Sequence, residues 1–305
     1  MKTLTVIVPC FNEEECVSAL YKEVEKYIKR DGIESTYLFV DDGSKDNTLN
    51  EIKKLREKDE RVNYISFSRN SGKEAAMYAG LKACKDKDLA IIIDVDLQHP
   101  PFLIKDMLDK NAEGYKLVNT VQRSRKKEGF FKRTWAKLFY STFNKYADVP
   151  IQQSTKDFML MDNDVINAFI NVPDEYRFMK GMLAYVGFKR YTLEFDYIER
   201  EKGKSKWNFR KLLKYGVSGL NQFSSIFKII PVIVSILSFL VMITSLVLFL
   251  TKVIYLEIFL ILLLIPFLFM LTNIALYFMF VVLYSTRREA LKRPIYFIEE
   301  TSLNA

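Results

Sequence analysis

Short apolar runs alternate with longer amphipathic segments over the first third of the chain. Each run stops at a proline, an aspartate or a serine, as expected where a buried strand ends. The runs predicted as strands are Leu4 to Val8, Tyr37 to Val40, Val62 to Phe67 and Leu89 to Ile93. The segments predicted as helices are Glu13 to Arg30, Asn47 to Lys58 and Lys73 to Lys85. This order predicts an α/β fold with a mostly parallel, buried sheet covered by helices.

The pattern is less regular beyond Pro100. It predicts helices at Phe102 to Asn111 and Phe130 to Tyr146, strands at Lys116 to Val121 and Tyr191 to Ile198, and a short apolar run at Asp157 to Met161. The following segment, Asn208 to Lys228, is typical of an amphipathic helix at a membrane interface.

Two long stretches near the C-terminus carry no charge, Ile229 to Leu250 and Ile258 to Tyr284. Each exceeds the roughly 20 residues that a helix needs to cross the hydrocarbon core of a bilayer. A pair of buried core helices is the alternative, but buried helices of this length rarely lack every charge. We therefore predict a transmembrane hairpin of two helices, residues 229–250 and 258–284. It would follow a domain at 1–207 and an interfacial helix at 208–228, with a tail at 285–305.

Basic residues surround the predicted hairpin, whereas the loop inside it holds only Lys252 and Glu257. The flanking basic residues are Arg210, Lys211, Lys214, Lys228, Arg287, Arg288, Lys292 and Arg293. Lysine and arginine concentrate on the cytoplasmic side of membrane proteins. We expect a multi-pass protein of the cell (inner) membrane with its large domain and tail in the cytoplasm. The apolar run Met1 to Val8 is too short for a signal peptide.

The formal net charge of +8 is compatible with a nucleic acid or an anionic membrane as partner. The basic clusters lie beside aromatic residues and near the uncharged stretches, which favours the membrane, and we expect no nucleic acid. The cysteines Cys10, Cys16 and Cys84 lack metal-ligand spacing. No G-x-G-x-x-G turn follows the first strand and no Walker loop is present, which argues against a dinucleotide cofactor and ATP hydrolysis.

A pair of carboxylates follows the fourth predicted strand, in the run Asp94-Val95-Asp96-Leu97-Gln98-His99-Pro100. Two carboxylates at this spacing can converge on one hard cation, and Mg²⁺ favours one or two carboxylates together with substrate phosphates. The alternative is a helix cap and a solvated turn. His99, the only histidine, is followed by two prolines, and we interpret it as a turn residue rather than a general base.

A second acidic pair, Asp41 and Asp42, follows the second predicted strand. Ligands of open α/β sheets bind in the crevice outside the carboxyl ends of the strands. Both carboxylates are placed to accept hydrogen bonds from a base or ribose, although a turn role for Asp42 is equally consistent. Ser44, Asp46 and Asn47 are expected to shape the turn and cap the next helix.

Four motifs together resemble glycosyltransferase family 2. They are Val8-Pro9-Cys10-Phe11-Asn12-Glu13-Glu14, the Asp41-Asp42-Gly43-Ser44 run, Arg69-Asn70-Ser71-Gly72-Lys73-Glu74 and the run from Asp94 to Pro101. Within that family the chain is similar to the polyisoprenyl-phosphate branch, which includes bactoprenol glucosyltransferases and dolichol-phosphate mannose synthases. The resemblance implies a Rossmann-like GT-A fold, an inverting mechanism and a divalent metal, Mg²⁺ or Mn²⁺.

The resemblance also implies roles for individual residues. Asp94, Asp96 and Gln98 would hold the metal and the diphosphate, with Asp157 as catalytic base and Arg200 beside the diphosphate. The implied donor-binding set is Pro9, Phe11, Glu13, Asp41, Asp42, Lys73, Asp94, Val95, Asp96, Arg200 and Ser205. A flexible basic linker is the alternative interpretation of the segment that holds Arg200 and Ser205.

The sequence departs from the family pattern beside Asp157. Related sequences commonly read Gly-Asp-Phe-Arg-Leu where this chain has Lys156-Asp157-Phe158-Met159-Leu160. The departure affects the expected acceptor or sugar pocket, where Lys156 could supply the charge of the missing arginine.

The expected acceptor, a lipid phosphate, is a phosphate monoester. Such a group has a second pKa of about 6, so its oxygen needs little deprotonation before it attacks the sugar. We therefore expect Asp157 mainly to orient the acceptor or sugar.

A run of basic and aromatic residues is predicted to lie at the membrane surface, aromatic side chains toward the lipid. It consists of Arg123, Arg125, Lys126, Lys127, Phe130, Phe131, Lys132, Arg133 and Trp135. A solvated helix face is the alternative. At the membrane surface, this run would bring the active site to the level of lipid headgroups, where the phosphate of a carrier lipid lies.

The resemblance implies transfer of a sugar to a polyisoprenyl (undecaprenyl) phosphate. Its bactoprenol group makes glucose from UDP-glucose the first expectation for the donor. Mannose and N-acetylhexosamine donors stay open. A processive polysaccharide synthase is less consistent with the sequence, because the Gln-x-x-Arg-Trp run usual in such synthases is missing. A non-catalytic membrane scaffold is disfavoured by the intact pair of Asp94 and Asp96. By resemblance, the chain is expected to form a homo-oligomer, and the resemblance suggests a tetramer.

Overall fold

The computed structural model describes residues 1–123, 141, 144–145, 155–173, 178–196, 237, 254–290 and 293–303. Its strands are β1 (Lys2–Cys10), β2 (Ile33–Asp41), β3 (Val62–Phe67), β4 (Leu89–Ile92), β5 (Leu117–Gln122), β6 (Thr155–Asp162), β7 (Arg190–Phe195) and β8 (Ile298–Thr301). Its helices are α1 (Val17–Ile28), α2 (Thr48–Lys58), α3 (Lys73–Ala83), α4 (Leu103–Ala112), α5 (Asn163–Asn171), α6 (Met179–Tyr185) and α7 (Ile254–Ala290).

The eight strands form one sheet in the order β7-β5-β6-β4-β1-β2-β3-β8. The four strands predicted in the first third of the sequence are its parallel centre, since β1 pairs in parallel with β2 and β4, and β2 with β3. Strand β6 lies antiparallel between β4 and β5. The α/β fold with a mostly parallel sheet is therefore confirmed.

Helices cover both faces of the sheet because its central strands are apolar on both sides. Strand β1 is buried from Leu4 to Cys10. Helix α1 packs on one face, together with α2 and α4, through apolar residues at helical spacing such as Val17, Leu20 and Val24. Helices α3, α5 and α6 cover the opposite face. Burial on both sides explains why these strands appear in the sequence as continuous apolar runs.

Helix α3 approaches the sheet closely at Gly80. A Cβ atom at this position would collide with the side chain of Ile7 on β1. The missing side chain lets α3 lie directly on the centre of the sheet. Lys73, the first residue of α3, is thereby brought over the ends of the central strands.

The C-terminal region contains α7, which is 37 residues long, and then β8. Helix α7 includes the whole of the second predicted span, whereas the first lies outside the described residues except for position 237. In the part of the chain whose side chains are described, no helix combines the length and apolar character needed to cross a bilayer. The hairpin thus stays a prediction, as do the domain boundaries.

Candidate active site

The candidate active site lies at the edge where the parallel strands end. Strands β1, β2, β3 and β4 run in the same direction, so the loops that follow them meet at this edge. Strand β6 is antiparallel to β4, with Ile92 opposite Met159. The beginning of β6 therefore reaches the same edge and carries Asp157 next to the loop that begins at Asp94.

The loops after β1 and β2 are joined by hydrogen bonds. The backbone N–H of Asn12 donates to Ser44 Oγ at 2.8 Å, and the N–H of Glu13 donates to Thr48 Oγ1 at 2.8 Å. Asp46 accepts hydrogen bonds from the backbone and hydroxyl of Thr48 at the start of α2. Ser44 and Asp46 shape this turn as predicted, which fixes the loop that contains Phe11 and Glu13 against α2. Asn47 lies at the N-cap position of α2, but its side chain makes no capping hydrogen bond, so that part of the prediction was wrong.

Asp41 and Asp42 are both buried; Asp41 binds its own turn and strand β3, whereas Asp42 binds the loop after β3. Asp41 accepts hydrogen bonds from the backbone of Ser44 at 3.2 Å and the hydroxyl of Ser66 at 2.9 Å. Asp42 accepts hydrogen bonds from the backbone N–H groups of Ser71 at 2.6 Å and Gly72 at 2.9 Å. Burial raises the pKa of Asp42 to about 6, against the opposing effect of these N–H groups. Asp42 therefore has a structural role in holding the loop after β3, and its contact with a nucleoside stays a prediction.

Four charged side chains form what we call the lysine–carboxylate cluster: Lys73, Asp94, Asp157 and Lys180. Lys73 Nζ lies 2.5 Å from Asp94 Oδ1 and 2.6 Å from Asp157 Oδ2, so one ammonium group bridges two carboxylates. Lys180 Nζ lies 4.0 Å from Asp157 Oδ1 and donates to the carbonyl oxygen of Thr155 at 2.7 Å. The cluster brings two predicted site residues, Asp94 and Asp157, onto one cation.

The charges of the cluster determine its protonation. Burial by itself would raise the pKa of Asp157, but the ammonium groups of Lys73 and Lys180 outweigh it and hold that pKa well below its usual range. Burial would likewise lower the pKa of Lys73, but Asp157 and Asp94 outweigh it and raise that pKa. At neutral pH Asp157 is therefore ionised and Lys73 is protonated.

The loop after β4 presents carboxylate oxygens. Leu97 has a φ of 58°, in the left-handed region, and the backbone N–H of Gln98 donates to Asp96 Oδ1 at 3.2 Å. No group of three or more His, Cys, Asp or Glu residues with a metal-binding arrangement occurs among the described residues. Two carboxylates nevertheless fit a divalent cation that takes its remaining ligands from substrate phosphates.

A family model described as glycosyl transferase family 2 matches residues 5–186. The chain belongs to this family. It is 37% identical over 222 residues to the prophage bactoprenol glucosyl transferase homolog of Escherichia coli, which covers 73% of this chain and 72% of that protein. It is 36% identical over 221 residues to the uncharacterized glycosyltransferase sll0501 of Synechocystis sp., covering 72% and 69%.

A solved structure with the same fold is glucosyl-3-phosphoglycerate synthase from Mycobacterium tuberculosis, determined with uridine diphosphate. The TM-score is 0.51 at 16% identity, over 72% of this chain and 79% of that one. As a glycosyl transferase family 2 member with a GT-A-like fold, the chain is a glycosyltransferase. The recognised family and enzyme class are thus confirmed.

Two residues of the candidate site were not among those predicted from the sequence. Lys180 lies on the seven-residue helix α6, and nothing near it in the sequence marks it as a neighbour of Asp157. His99 lies in the bend after β4, in agreement with its interpretation as a turn residue, and its ring is buried, stacks on Phe158 at 5.6 Å and has Nδ1 3.8 Å from Asp94 Oδ2. Burial lowers the pKa of His99, so the ring is neutral and supports the Asp94 loop.

Other predicted positions are only partly described. Pro9 is buried near the end of β1, and Val95 is buried in the turn that follows β4. Arg123 is exposed and its Nε donates to Glu194 at 2.9 Å. Met159, at the departure from the family pattern, is buried on β6. The remaining predicted residues, Arg125, Lys126, Lys127, Phe130, Phe131, Lys132, Arg133, Trp135, Arg200 and Ser205, lie outside the described residues.

Proposed function

We propose that the protein transfers glucose from UDP-glucose to a polyisoprenyl phosphate at a membrane surface. The observation that carries this proposal is the bridge of Lys73 between Asp94 and Asp157. The bridge puts the proposed diphosphate-binding carboxylate and the proposed acceptor-orienting carboxylate within reach of one substrate. The relatives named bactoprenol glucosyl transferases support the choice of sugar and carrier lipid.

Asp94 and Asp96 would hold a divalent cation, Mg²⁺ or Mn²⁺, with Gln98 beside them. Such a cation stabilises negative charge on a departing diphosphate. The synthase with the same fold was also solved with Mn²⁺ and uridine diphosphate, in a structure with a TM-score of 0.50 at 14% identity. The carboxylate pair has the oxygen chemistry that these ions prefer.

Asp157 would orient the sugar or the acceptor rather than remove a proton. A general base is most effective when its pKa lies near the working pH, whereas the lysines hold the pKa of Asp157 far lower. Its buried Oδ1 accepts no hydrogen bond from the described residues. Lys73 and Lys180 offset the repulsion that Asp157 would exert on an anionic acceptor.

Membrane attachment is part of the same proposal. Large apolar side chains of α7 are exposed, among them Leu276, Phe280 and Leu283. Strand β8, which follows α7, belongs to the same sheet as β1. The chain that leaves this domain after Phe195 therefore returns to it, so any membrane crossings between these points are even in number. Two crossings, at 229–250 and 258–284, satisfy that condition.

The decisive test incubates membranes containing the full chain with radiolabelled UDP-glucose, GDP-mannose or UDP-N-acetylglucosamine and undecaprenyl phosphate. We expect organic-extractable label from UDP-glucose, lost on metal chelation and in Asp96→Asn, and retained in Asp106→Asn, which changes an exposed acid of α4. Label from GDP-mannose instead would overturn the donor. Label only in a water-soluble polymer, or full activity of Asp96→Asn, would overturn the proposed reaction.

A further inference from the structure

The segment of residues 293–303, here called the tail segment, is built into the edge of the catalytic sheet. Strand β8 pairs antiparallel with β3, with Thr301 opposite Ile65 and Glu300 opposite Ser66. Side chains reinforce the pairing, since Glu300 accepts hydrogen bonds from Tyr64 Oη at 2.6 Å and from Lys53 Nζ at 2.7 Å. The tail segment is therefore anchored to both β3 and α2.

The anchor continues toward the candidate active site. The ring of Tyr296 stacks on Phe67, the last residue of β3, with centroids 4.7 Å apart and planes 9° from parallel. Tyr296 also meets Tyr78 of α3 edge-on at 6.4 Å. The carbonyl oxygen of Phe297 accepts a hydrogen bond from the backbone N–H of Ser68 at 3.0 Å. The tail segment thus contacts the end of β3, the start of the loop that joins β3 to α3, and α3 itself.

This loop, residues 68–72, connects two residues of the proposed donor-binding set, Asp42 and Lys73. Its backbone N–H groups at Ser71 and Gly72 donate to Asp42, and Asn70 Nδ2 donates to the same carboxylate at 2.8 Å. The loop leads directly into Lys73, which bridges Asp94 and Asp157. Because Lys73 directly follows the loop and belongs to the lysine–carboxylate cluster, a movement of the loop would displace a member of the cluster.

We propose that the tail segment is a positioning element for the donor site: it fixes loop 68–72, and with it Asp42 and Lys73, in the arrangement that binds the nucleotide sugar. The proposal deepens the proposed function and rests on it. Without β8, the outer backbone groups of β3 and the amide of Ser68 lose their partners, and the loop gains freedom that donor binding must remove. Because the tail segment follows α7, the position of that helix is coupled to the donor site.

The test uses the full chain in detergent and compares Tyr296→Ala with Tyr296→Phe and Phe297→Ala. Tyr296→Ala removes the ring from Phe67 and Tyr78, whereas Tyr296→Phe keeps it. Phe297 is 49% exposed and contributes its backbone carbonyl, so Phe297→Ala is a matched control. We expect Tyr296→Ala to weaken UDP-glucose binding and raise the donor KM by about tenfold with kcat nearly unchanged, and both other variants to match wild type.

A general loss of stability must be separated from loss of positioning. Val24→Ala makes a cavity under α1, on the sheet face opposite α3, and is expected to lower the thermal midpoint without changing the donor Kd. Hydrogen exchange at residues 68–72 should quicken in Tyr296→Ala and stay at the wild-type rate in Val24→Ala. If Tyr296→Ala does not fold, Glu300→Gln replaces it, with a smaller rise in donor KM expected.

Wild-type donor affinity in folded Tyr296→Ala or Glu300→Gln would overturn the proposal, as would an equal loss of affinity in Val24→Ala. The two proposals fail separately. Suppose that donor binding depends on Tyr296 but the chain transfers no sugar to a lipid phosphate. The positioning role of the tail segment would then stand, and the proposed acceptor would be wrong. A wild-type chain that binds no nucleotide sugar would overturn the proposed function itself.

Discussion

Lys73 is the residue on which the charges of the site depend. It bridges Asp94 and Asp157 with one ammonium group, and Lys180 adds a second positive charge 4.0 Å from Asp157. Removing one partner of a buried pair costs far more than the pair contributes, because the other charge is left uncompensated. Substitution of either lysine is therefore expected to disturb both carboxylates.

The first prediction concerns Asp157→Asn. We expect kcat to fall about a hundredfold while the donor Kd changes little, because the amide keeps the shape of Asp157 but not its charge. The low pKa of Asp157 means that the wild-type rate should show no inflection from this group between about pH 5 and pH 8. Steady-state rates across that range check both points. An Asp157→Asn rate that climbs steeply with pH, absent in wild type, would indicate base catalysis.

Asp42 gives the second prediction, on stability. Its folded-state pKa of about 6 exceeds the usual value of 3.8, so the folded chain binds this proton more tightly than the unfolded chain. The resulting stabilisation is complete below about pH 4 and is lost as pH rises through 6, by up to about 3 kcal/mol. As pH rises from about 4 to about 6, the free energy of unfolding should fall less in Asp42→Asn than in wild type, as measured by thermal unfolding. Identical pH dependence in both proteins would contradict it.

At the scale of elements, the proposed donor site depends on two loops that touch at Gly43. This glycine has a φ of 67°, and a Cβ atom there would lie 2.6 Å from the backbone carbon of Arg69. The loops after β2 and β3 therefore meet backbone to backbone, which leaves no flexible side chain that could yield.

The third prediction compares Gly43→Ala with Gly32→Ala. Gly32 has a φ of 77° but open space around it, so alanine there costs only the left-handed conformation, about 1–2 kcal/mol. Gly43→Ala should cost more than this and also weaken donor binding, because loop 68–72 must move. Chemical unfolding and donor titration of both variants measure the difference. Equal costs and unchanged donor affinity would show that the loops can separate without effect.

Sequence alone predicted the elements whose signal is local. Strands β1 to β4 are apolar runs that stop at polar residues, and Asp94 follows directly from that pattern. Strand β8 escaped prediction because Ile298-Glu-Glu-Thr has no apolar run and its partner Tyr64 lies 236 residues away from Glu300. Lys180 escaped for the same reason, since only the packing of α6 brings it to Asp157.

At the scale of the whole molecule, the sheet holds together segments from both ends of the described chain. Its edge strand β8 lies beside β3 in the sheet. In the sequence, helix α7 separates β8 from the other seven strands. Under the proposed hairpin, the tail segment and the catalytic domain share one side of the membrane, and residues 251–257 lie on the other.

The fourth prediction tests that arrangement by cysteine labelling. The native cysteines Cys10, Cys16 and Cys84 are buried and should react poorly with a membrane-impermeant maleimide. In intact cells we expect Thr251→Cys to be labelled, and Lys85→Cys and Glu299→Cys to be protected. All three should react after lysis. Labelling of Glu299→Cys in intact cells, with Lys85→Cys protected, would contradict the even number of crossings.

The late position of β8 has a consequence for biosynthesis. Strand β3 leaves the ribosome long before its outer neighbour, and at about 5–20 residues per second the delay is roughly 10–50 seconds. During that time its outer backbone groups have no partner, and such an open edge invites pairing with other nascent chains. Lys53 and Arg56, on the helix beside β3, then offer like charges that would discourage such pairing until Glu300 arrives to neutralise Lys53.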